Sequence, residues 1–530
     1  MALKRRLVKR LQEKFPPVRH RISRRRTGIR RNDKRRDLSG TRITGILLSS
    51  VRRSLVFSLA DSYLGVALQL VSSLIIARLL TPAEIGVFSV AAIFAALASN
   101  FRDFGVGEYL IQEKNLTTKK IRAALAANIG LSWLMAVILF LASGPVADFY
   151  RHAGVTTVMQ IQSVNFLLIP FGAVTMAYYR RELNYRPLFI AGLLANTTSF
   201  LVATTGALAG FGYLALAWAS LAGVLVTVGY AVSVRPADLP FWPSLSGLRE
   251  VVNFGKHAIG IYFLGQVGKS APEAVIGRAL DMASVAFFSR ANGLMEIFNR
   301  TVLRAAAPVC LPYFAQEARA GQRTAEGYLK ATTLLTGIGW PFFVYIGVIA
   351  YSAIRVLYGG QWMSSVPLAQ ILCVVAILEL PYWLATEVMI AEGRIDQSNK
   401  LQFVVQGLRV ASLALVVPFG LTGVCWGLAL AALGGTFASH RFLRQIIGLR
   451  FRDMVRACIP SGAVTAVAAT PSLVVALFIE QTEANCLAVF AGCSLATGAA
   501  WIVSLKICKH PFWMEAVTLF EKMRKRAEAL

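Results

Sequence analysis

Charged side chains are scarce in this 530-residue chain, 15% against 56% apolar, too few to solvate the surface of a water-soluble domain of that size. Water is therefore excluded as its main solvent, and a mean hydropathy of +0.58 agrees. Acidic residues are scarcer still, with 27 Asp and Glu against 55 Lys and Arg, for a net charge of +28. Cysteine is sparse as well. The seven, Cys310, Cys373, Cys425, Cys458, Cys486, Cys493 and Cys508, stand singly in apolar runs, with no C-x-x-C pair and no histidine at ligand spacing, which argues against a disulfide framework or a zinc site. There is no G-x-S-x-G elbow, no phosphate-cradling P-loop and no H-E-x-x-H, so no bond-breaking machinery is legible and the chain does not read as an enzyme. Neither metal nor cofactor is called for.

The basic residues are unevenly placed. Residues 1–53 hold 19 Lys and Arg against Glu13, Asp33 and Asp37, a net 16 of the +28. Runs such as Arg24-Arg25-Arg26 carry no apolar periodicity to bury, so this segment reads as a disordered cytoplasmic arm, and it lacks the short apolar core of a secretory signal. With most of the charge confined to one end, the expected partner is membrane lipid and not nucleic acid.

What the chain has in plenty is apolar runs of about 20 residues, the length that crosses about 30 Å of hydrocarbon with every backbone group satisfied internally. Fourteen are predicted. Six, at 54–76, 84–101, 121–143, 155–178, 188–210 and 211–234, form an amino-terminal lobe (54–234), followed by a Pro- and Ser-bearing linker at 235–253. Six more, at 254–276, 283–311, 331–357, 368–390, 401–418 and 423–442, form a second lobe (254–446). Two further spans, 458–479 and 486–505, occupy 447–508, ahead of a cytoplasmic tail at 509–530. The expected class is an all-α polytopic membrane protein of about 14 helices in two pseudo-symmetric six-helix lobes plus two. Lys and Arg crowd alternate connections, whereas the others hold only Arg78, Arg151 and Arg278, with Arg355 at a margin, which predicts both termini in the cytoplasm. A shift of 200 residues lays 64–91 on 264–291 with nine identities, among them Gly65 on Gly265, Arg78 on Arg278 and Ser89 on Ser289. Both copies start on the same side, so the repeat is parallel.

Ionisable groups at mid-bilayer cost about 2.5–3.5 kcal/mol each on insertion scales and need a wet or paired environment. In the first span Asp61, Gly65, Gln69 and Ser72 share one helical face, and in the seventh Tyr262, Gln266, Lys269 and Glu273 do the same. The eighth is the most polar: Ser289, Asn292, Glu296, Asn299, Arg300 and Arg304 fall within one arc at 100° per residue, with Arg290 off it. These stripes on repeat-related helices predict an aqueous cavity lined by Asp61, Gln69, Gln266, Lys269, Asn292, Glu296, Asn299, Arg300 and Arg304, with Arg102 at its inner mouth. Mutual neutralisation of Glu296 and Arg300 inside a bundle is the competing account. Glu379 and Glu387 flank Pro381, a candidate gating kink. Arg78 and Arg278 are expected to snorkel to headgroups.

One string carries a family signature. Ala77-Arg78-Leu79-Leu80-Thr81-Pro82-Ala83-Glu84-Ile85-Gly86-Val87-Phe88, with Asp103-Phe104-Gly105-Val106 and Leu110-Ile111-Gln112 after it, resembles the polysaccharide transport branch of the multidrug/oligosaccharidyl-lipid/polysaccharide (MOP) exporter superfamily, the oligosaccharide flippases. Ile276-Gly277-Arg278-Ala279-Leu280 with Phe288-Ser289-Arg290-Ala291 looks like the matching second-lobe segment, and the likeness runs over about 54–510. It departs at Pro272-Glu273, where the family pattern usually carries an Asp. The resemblance implies a MATE-like fold with a V-shaped cavity, alternating access, and an undecaprenyl-pyrophosphate-linked oligosaccharide repeat unit as substrate. It implies work in the bacterial inner membrane for exopolysaccharide or lipopolysaccharide synthesis, beside polysaccharide polymerase or export machinery. The energy source stays open among H+, Na+ and the membrane potential. A lipid II flippase and a multidrug antiporter of the same superfamily are alternatives, though organic cations would favour an acidic cavity and this lining is net basic. A membrane-embedded polymerase or ligase would need a long outer loop, which the sequence lacks.

Overall fold

The computed structural model describes residues 63–103, 106–237, 239–240, 242–320 and 324–527; the basic arm, Asp61 and Phe104-Gly105 lie outside them. Helices α1 (Tyr63–Leu79), α2 (Pro82–Asp103), α3 (Thr118–Tyr150), α4 (Gly154–Leu168, continuing as Pro170–Arg181), α5 (Arg186–Leu208) and α6 (Tyr213–Ser233) make the first lobe. The second has α7 (Leu248–Ala279), α8 (Met282–Phe298, then a π-turn Asn299–Leu303, then Arg304–Arg319), α9 (Thr324–Val348), α10 (Ser365–Glu379, then Ala385–Ala391), α11 (Ile395–Val416) and α12 (Gly420–Ile447). Helices α13 (Phe451–Phe478) and α14 (Cys486–Ile507) follow. Short connections make successive passes run in opposite directions. The bundle thus has a linker end, where residues 235–247 join the lobes, and a far end, where α1 turns into α2 and α7 into α8.

Nine stretches among the described residues are long and apolar enough to cross a bilayer, ten counting the 54° bend in α4 as one span. One of the nine is the run Ile395–Ile447, which a turn at Val417–Phe419 divides into α11 and α12, packed side by side. With α1, α7 and α8 the predicted fourteen are present. Large apolar side chains point outward, Leu415 at 75%, Phe437 at 73% and Leu477 at 78% exposure, which is tolerable only against lipid.

Many helix ends extend past the spans of the sequence reading, and three differences bear on the organisation of the chain. Gly247, at φ +95°, lets α7 start at Leu248, six residues early, so the linker shrinks to 235–247. The ninth span breaks at Ile349 into α9 and a short helix, Ala350–Leu357. The expected tail holds a helix, Pro511–Ala527, whose first turn is capped by His510 Nδ1 accepting from Phe512 N–H at 3.2 Å. Buried within the protein, the His510 imidazole has its pKa lowered by desolvation and serves as a neutral acceptor.

The repeat is built into the turns at the far end. Thr81 and Glu84 form a capping box, Thr81 N–H and Oγ1 both donating to Glu84 Oε2 at 2.8 Å, with Pro82 at the first helical position. At the equivalent turn Asp281 accepts from Ser284 N–H at 2.7 Å. The two helix starts then cross. A Cβ on Gly86 would lie 1.7 Å from the Met282 carbonyl oxygen, so only glycine permits the approach of α2 to α8. Around that crossing Ala77, Val90 and Ala91 of the first lobe and Val285, Ala286 and Ala291 of the second are all 0% exposed. In lipid, helices gain little from hydrophobic transfer, and small residues at close approach supply the contact energy instead.

Candidate functional site

The polar stripe of α8 meets α1 through one guanidinium. Arg300 Nη1 donates to Gln69 Oε1 of the first lobe, and its Nε to Glu296 Oε1 at 3.4 Å. The same carboxylate accepts from Asn299 Nδ2 at 3.0 Å and sits 3.8 Å from Arg304 Nη2. Five of the residues expected to line the cavity therefore form one cluster: Gln69, Glu296, Asn299, Arg300 and Arg304. The cluster is wet: the Arg300 and Glu296 side chains are 33% and 31% exposed and Arg304 71%. Such a pair is worth about 0.2–1 kcal/mol, so it holds the arginines loosely.

The π-turn at Asn299–Leu303 is what places these groups. Arg300 lies inside it, and the extra residue in that turn breaks the uniform 100° spacing on which the arc was drawn. No residue in Asn299–Leu303 announces the widening. Proline at 308 and 312 farther along α8 does not fall within it.

The other expected residues are scattered. Lys269 is exposed on α7 and makes no hydrogen bond or ion pair with any described residue, while Gln266 donates to Ser270 at 3.1 Å. Asn292 is exposed, and Arg102 lies over the Phe166 ring at 5.6 Å, next to α4. The kink at Pro381 is present as a 3-10 turn, Leu380–Tyr382, whose Pro381 carbonyl accepts from Tyr328 Oη at 2.8 Å. Its flanking acids do not act together: Glu379 pairs with Arg409 of α11 at 2.8 Å, whereas Glu387 keeps one carboxylate oxygen buried without a partner.

Sequence reasoning missed the far end. Arg78 does not merely snorkel: it donates to the Val356 carbonyl at 2.5 Å, at the end of helix Ala350–Leu357. In return Gln361 Nε2 and Trp362 Nε1 donate to the Ala77 carbonyl at 2.5 and 2.7 Å, and Gln361 also to Leu80 O at 3.1 Å. The last carbonyls of a helix have no partner inside it, and here each lobe caps a helix of the other. Tyr150 Oη reaches Ala274 O at 3.2 Å, and Arg278 lies over the Phe149 ring at 5.0 Å, which ties α3 to α7 at the same end. Arg290, off the predicted arc, also crosses between lobes, with Nη1 donating to Ser73 at 2.6 Å. At the linker end the join is electrostatic: Lys120 sits 3.0 Å from Glu113 and 3.8 Å from Glu250 of α7. The Lys120 ammonium holds the Glu113 carboxyl below its ordinary range.

The arrangement puts a cluster of loosely paired cations where α8 meets α1 and ties the lobes together at the far end by reciprocal caps. The chain is similar to known proteins. A family model described as polysaccharide biosynthesis protein matches residues 75–367, more than half of the chain. The teichuronic acid biosynthesis protein TuaB of Bacillus subtilis (strain 168) is 23% identical over 84% of this chain and 92% of its own length. The succinoglycan biosynthesis transport protein ExoT of Rhizobium meliloti (strain 1021) is 25% identical over 61% of this chain and 65% of its own. Among solved structures, lipid II flippase MurJ in an inward closed conformation superposes with a TM-score of 0.69, at 12% identity, over 87% of this chain and all of that one.

Proposed function

From the premise that the chain belongs to the polysaccharide biosynthesis protein family, we propose that it is a flippase that moves an undecaprenyl-pyrophosphate-linked oligosaccharide repeat unit across the bacterial cytoplasmic membrane for exopolysaccharide or lipopolysaccharide synthesis. The observation that carries this reading is Arg300, shared between Gln69 of one lobe and Glu296 of the other. A diphosphate offers it bidentate, charge-assisted bonds about twice as strong as neutral ones, against a partly exposed ion pair worth under about 1 kcal/mol. The phosphate wins. Its arrival takes Arg300 from Gln69, removing a tie between α1 and α8, so loading changes which arrangement of the lobes is favoured. Glu296 retains Asn299 and Arg304 and holds the empty site in readiness.

The linker end is cytoplasmic in this reading, because Lys119, Lys120, Arg122, Arg180, Arg181, Arg186 and Arg249 gather there and only a few basic residues mark the far end. The far-end caps support an inward-facing state in this reading, loaded from the side where lipid-linked units are assembled. No bond is made or broken, so the protein acts as a carrier and not as an enzyme, handing its cargo to polymerase or export machinery outside. Two negative charges leaving an inside-negative compartment gain about 2.3 kcal/mol each per 100 mV, so the membrane potential is a sufficient energy source and neither H+ nor Na+ is required. The test is the triple variant Lys269→Gln, Arg300→Gln, Arg304→Gln: export should be lost with the protein inserted at normal abundance, and Arg300→Lys should rescue only in part. Polysaccharide export by the triple variant at the parental rate would reduce the stripe to a structural role.

A further inference from the structure

Arg290 is held in an unusual way for a cation inside a membrane. No described carboxylate pairs with it, and its Nε is buried without a hydrogen-bond partner. Its guanidinium carbon lies 5.2 Å from the centre of the Trp362 ring and 5.5 Å from that of Tyr358, with the one hydrogen bond from Nη1 to Ser73. Aromatic faces and a hydroxyl are weak counterparts for a charge that insertion scales penalise by about 2.5–3.5 kcal/mol. The holders are also of two kinds. Trp362 and Tyr358 belong to Arg290's own lobe, and Ser73 belongs to α1.

Ser73 stands one turn from Gln69, on the face of α1 that Arg300 also reaches, so both arginines of α8 are parked on the same helix. Trp362 does double duty, stacking on Arg290 while its indole N–H caps the Ala77 carbonyl of α1. If the far end opens, α1 leaves. Ser73 goes with it, the indole loses its acceptor, and the guanidinium then faces the gap between the lobes with no acid to neutralise it.

We propose that Arg290 is a latent anion-binding residue, covered while the far end is closed and presented to the diphosphate of the cargo when the lobes part there. This rests on the flippase reading and adds to it a second station, nearer the exit than Arg300. The chemistry it selects is a phosphate or pyrophosphate anion, since a guanidinium supplies two parallel N–H donors to paired oxygens. Its neutral holders keep the charge available, where a permanent carboxylate would have to be displaced.

The test uses the full chain with its seven cysteines replaced and one reporter introduced by Ala77→Cys, reconstituted in phosphatidylethanolamine–phosphatidylglycerol vesicles and labelled with a membrane-impermeant maleimide. Ser73→Ala and Trp362→Phe each remove one inter-lobe hydrogen bond and leave Arg290 in place, so each should speed labelling by roughly threefold to tenfold. Inorganic pyrophosphate is then added on both sides in the Lys269→Gln, Arg300→Gln, Arg304→Gln background, which removes the three cations of the α7 and α8 stripes. Pyrophosphate should speed labelling further when position 290 is Arg, less when it carries Arg290→Lys, and not at all with Arg290→Gln. No response to pyrophosphate in the chain that keeps Arg290, or an equal response with Arg290→Gln, overturns the proposal; so does labelling that Ser73→Ala and Trp362→Phe both leave unchanged. Failure of the flippase reading shows separately, as export by the triple variant.

Discussion

The helix pairs α1–α2 and α7–α8 are copies of one unit, yet they carry opposite chemistry. Gln69 corresponds to Lys269, Ser73 to Glu273, Val90 to Arg290, Ala96 to Glu296 and Asn100 to Arg300. Helix α2 is apolar enough to cross a bilayer by itself, and the polar α8 is absent from the stretches that pass that test. What the copies keep in common is backbone: a capped turn, a helix start, and a crossing that tolerates only small residues. What differs is charge. In the flippase reading an anion between the lobes would meet two walls, and one cationic wall suffices if the other offers neutral acceptors. Gln69 and Ser73 are such acceptors, able to steady an arginine without competing for it as an acid would.

The harshest way to break this comparison is at the shared crossing. Gly86→Leu would drive a side chain into the Met282 backbone, and since that carbonyl cannot give way the helices must separate, at about 3 kcal/mol or more. Ala286→Gly, at the matching position of α8, should cost only about 1 kcal/mol. Thermal unfolding of the purified variants measures both, and a Gly86→Leu chain with the parental midpoint would mean the crossing is not tight.

Moving a cation between copies is gentler. The double variant Asn100→Arg, Arg300→Asn keeps net charge but moves the guanidinium from α8 to the repeat-related position of α2. Export should fall at least about tenfold, the equivalent of 1.4 kcal/mol, and parental export would show that charge anywhere in the cavity is enough. Glu296→Gln sharpens the comparison instead: thermal stability should move by less than about 1 kcal/mol, while inorganic pyrophosphate binds several-fold tighter, as expected when a competitor for Arg300 is neutralised. Weaker pyrophosphate binding, measured by calorimetry, would make Glu296 part of the anion site and not its competitor. Smallest of all should be removal of residues 1–52. Their charge is expected to act by attracting anionic lipid, at about 1 kcal/mol per Lys or Arg near the surface, so export should persist; an inserted truncation that cannot export would give the arm a part in transport.

Much of this was written in the chain. Apolar runs of about 20 residues set fourteen passes because a single segment in hydrocarbon satisfies its own backbone only as a helix, and the 200-residue offset revealed the two lobes because residues such as Gly65 and Gly265, Arg78 and Arg278, and Ser89 and Ser289 recur where the backbone recurs. Periodicity along α8 found Glu296, Asn299, Arg300 and Arg304, since residues on one helical face are neighbours whatever the rest of the molecule does. It set Arg290 off the arc, and the contacts of Arg290 are with a serine 217 positions away and with two rings on the connection after Leu357. The reciprocal caps at the far end were invisible for the same reason. An orphan carbonyl at the end of α1 exists in any helix, but that Gln361 and Trp362 of the other lobe would satisfy it depends on how the lobes dock. The sequence by itself determined helices, repeat and polar faces, because those follow from local periodicity and from the solvent. Which faces meet, which arginines share α1, and which end is shut were decided only by tertiary structure, because they arise from contacts between residues hundreds of positions apart.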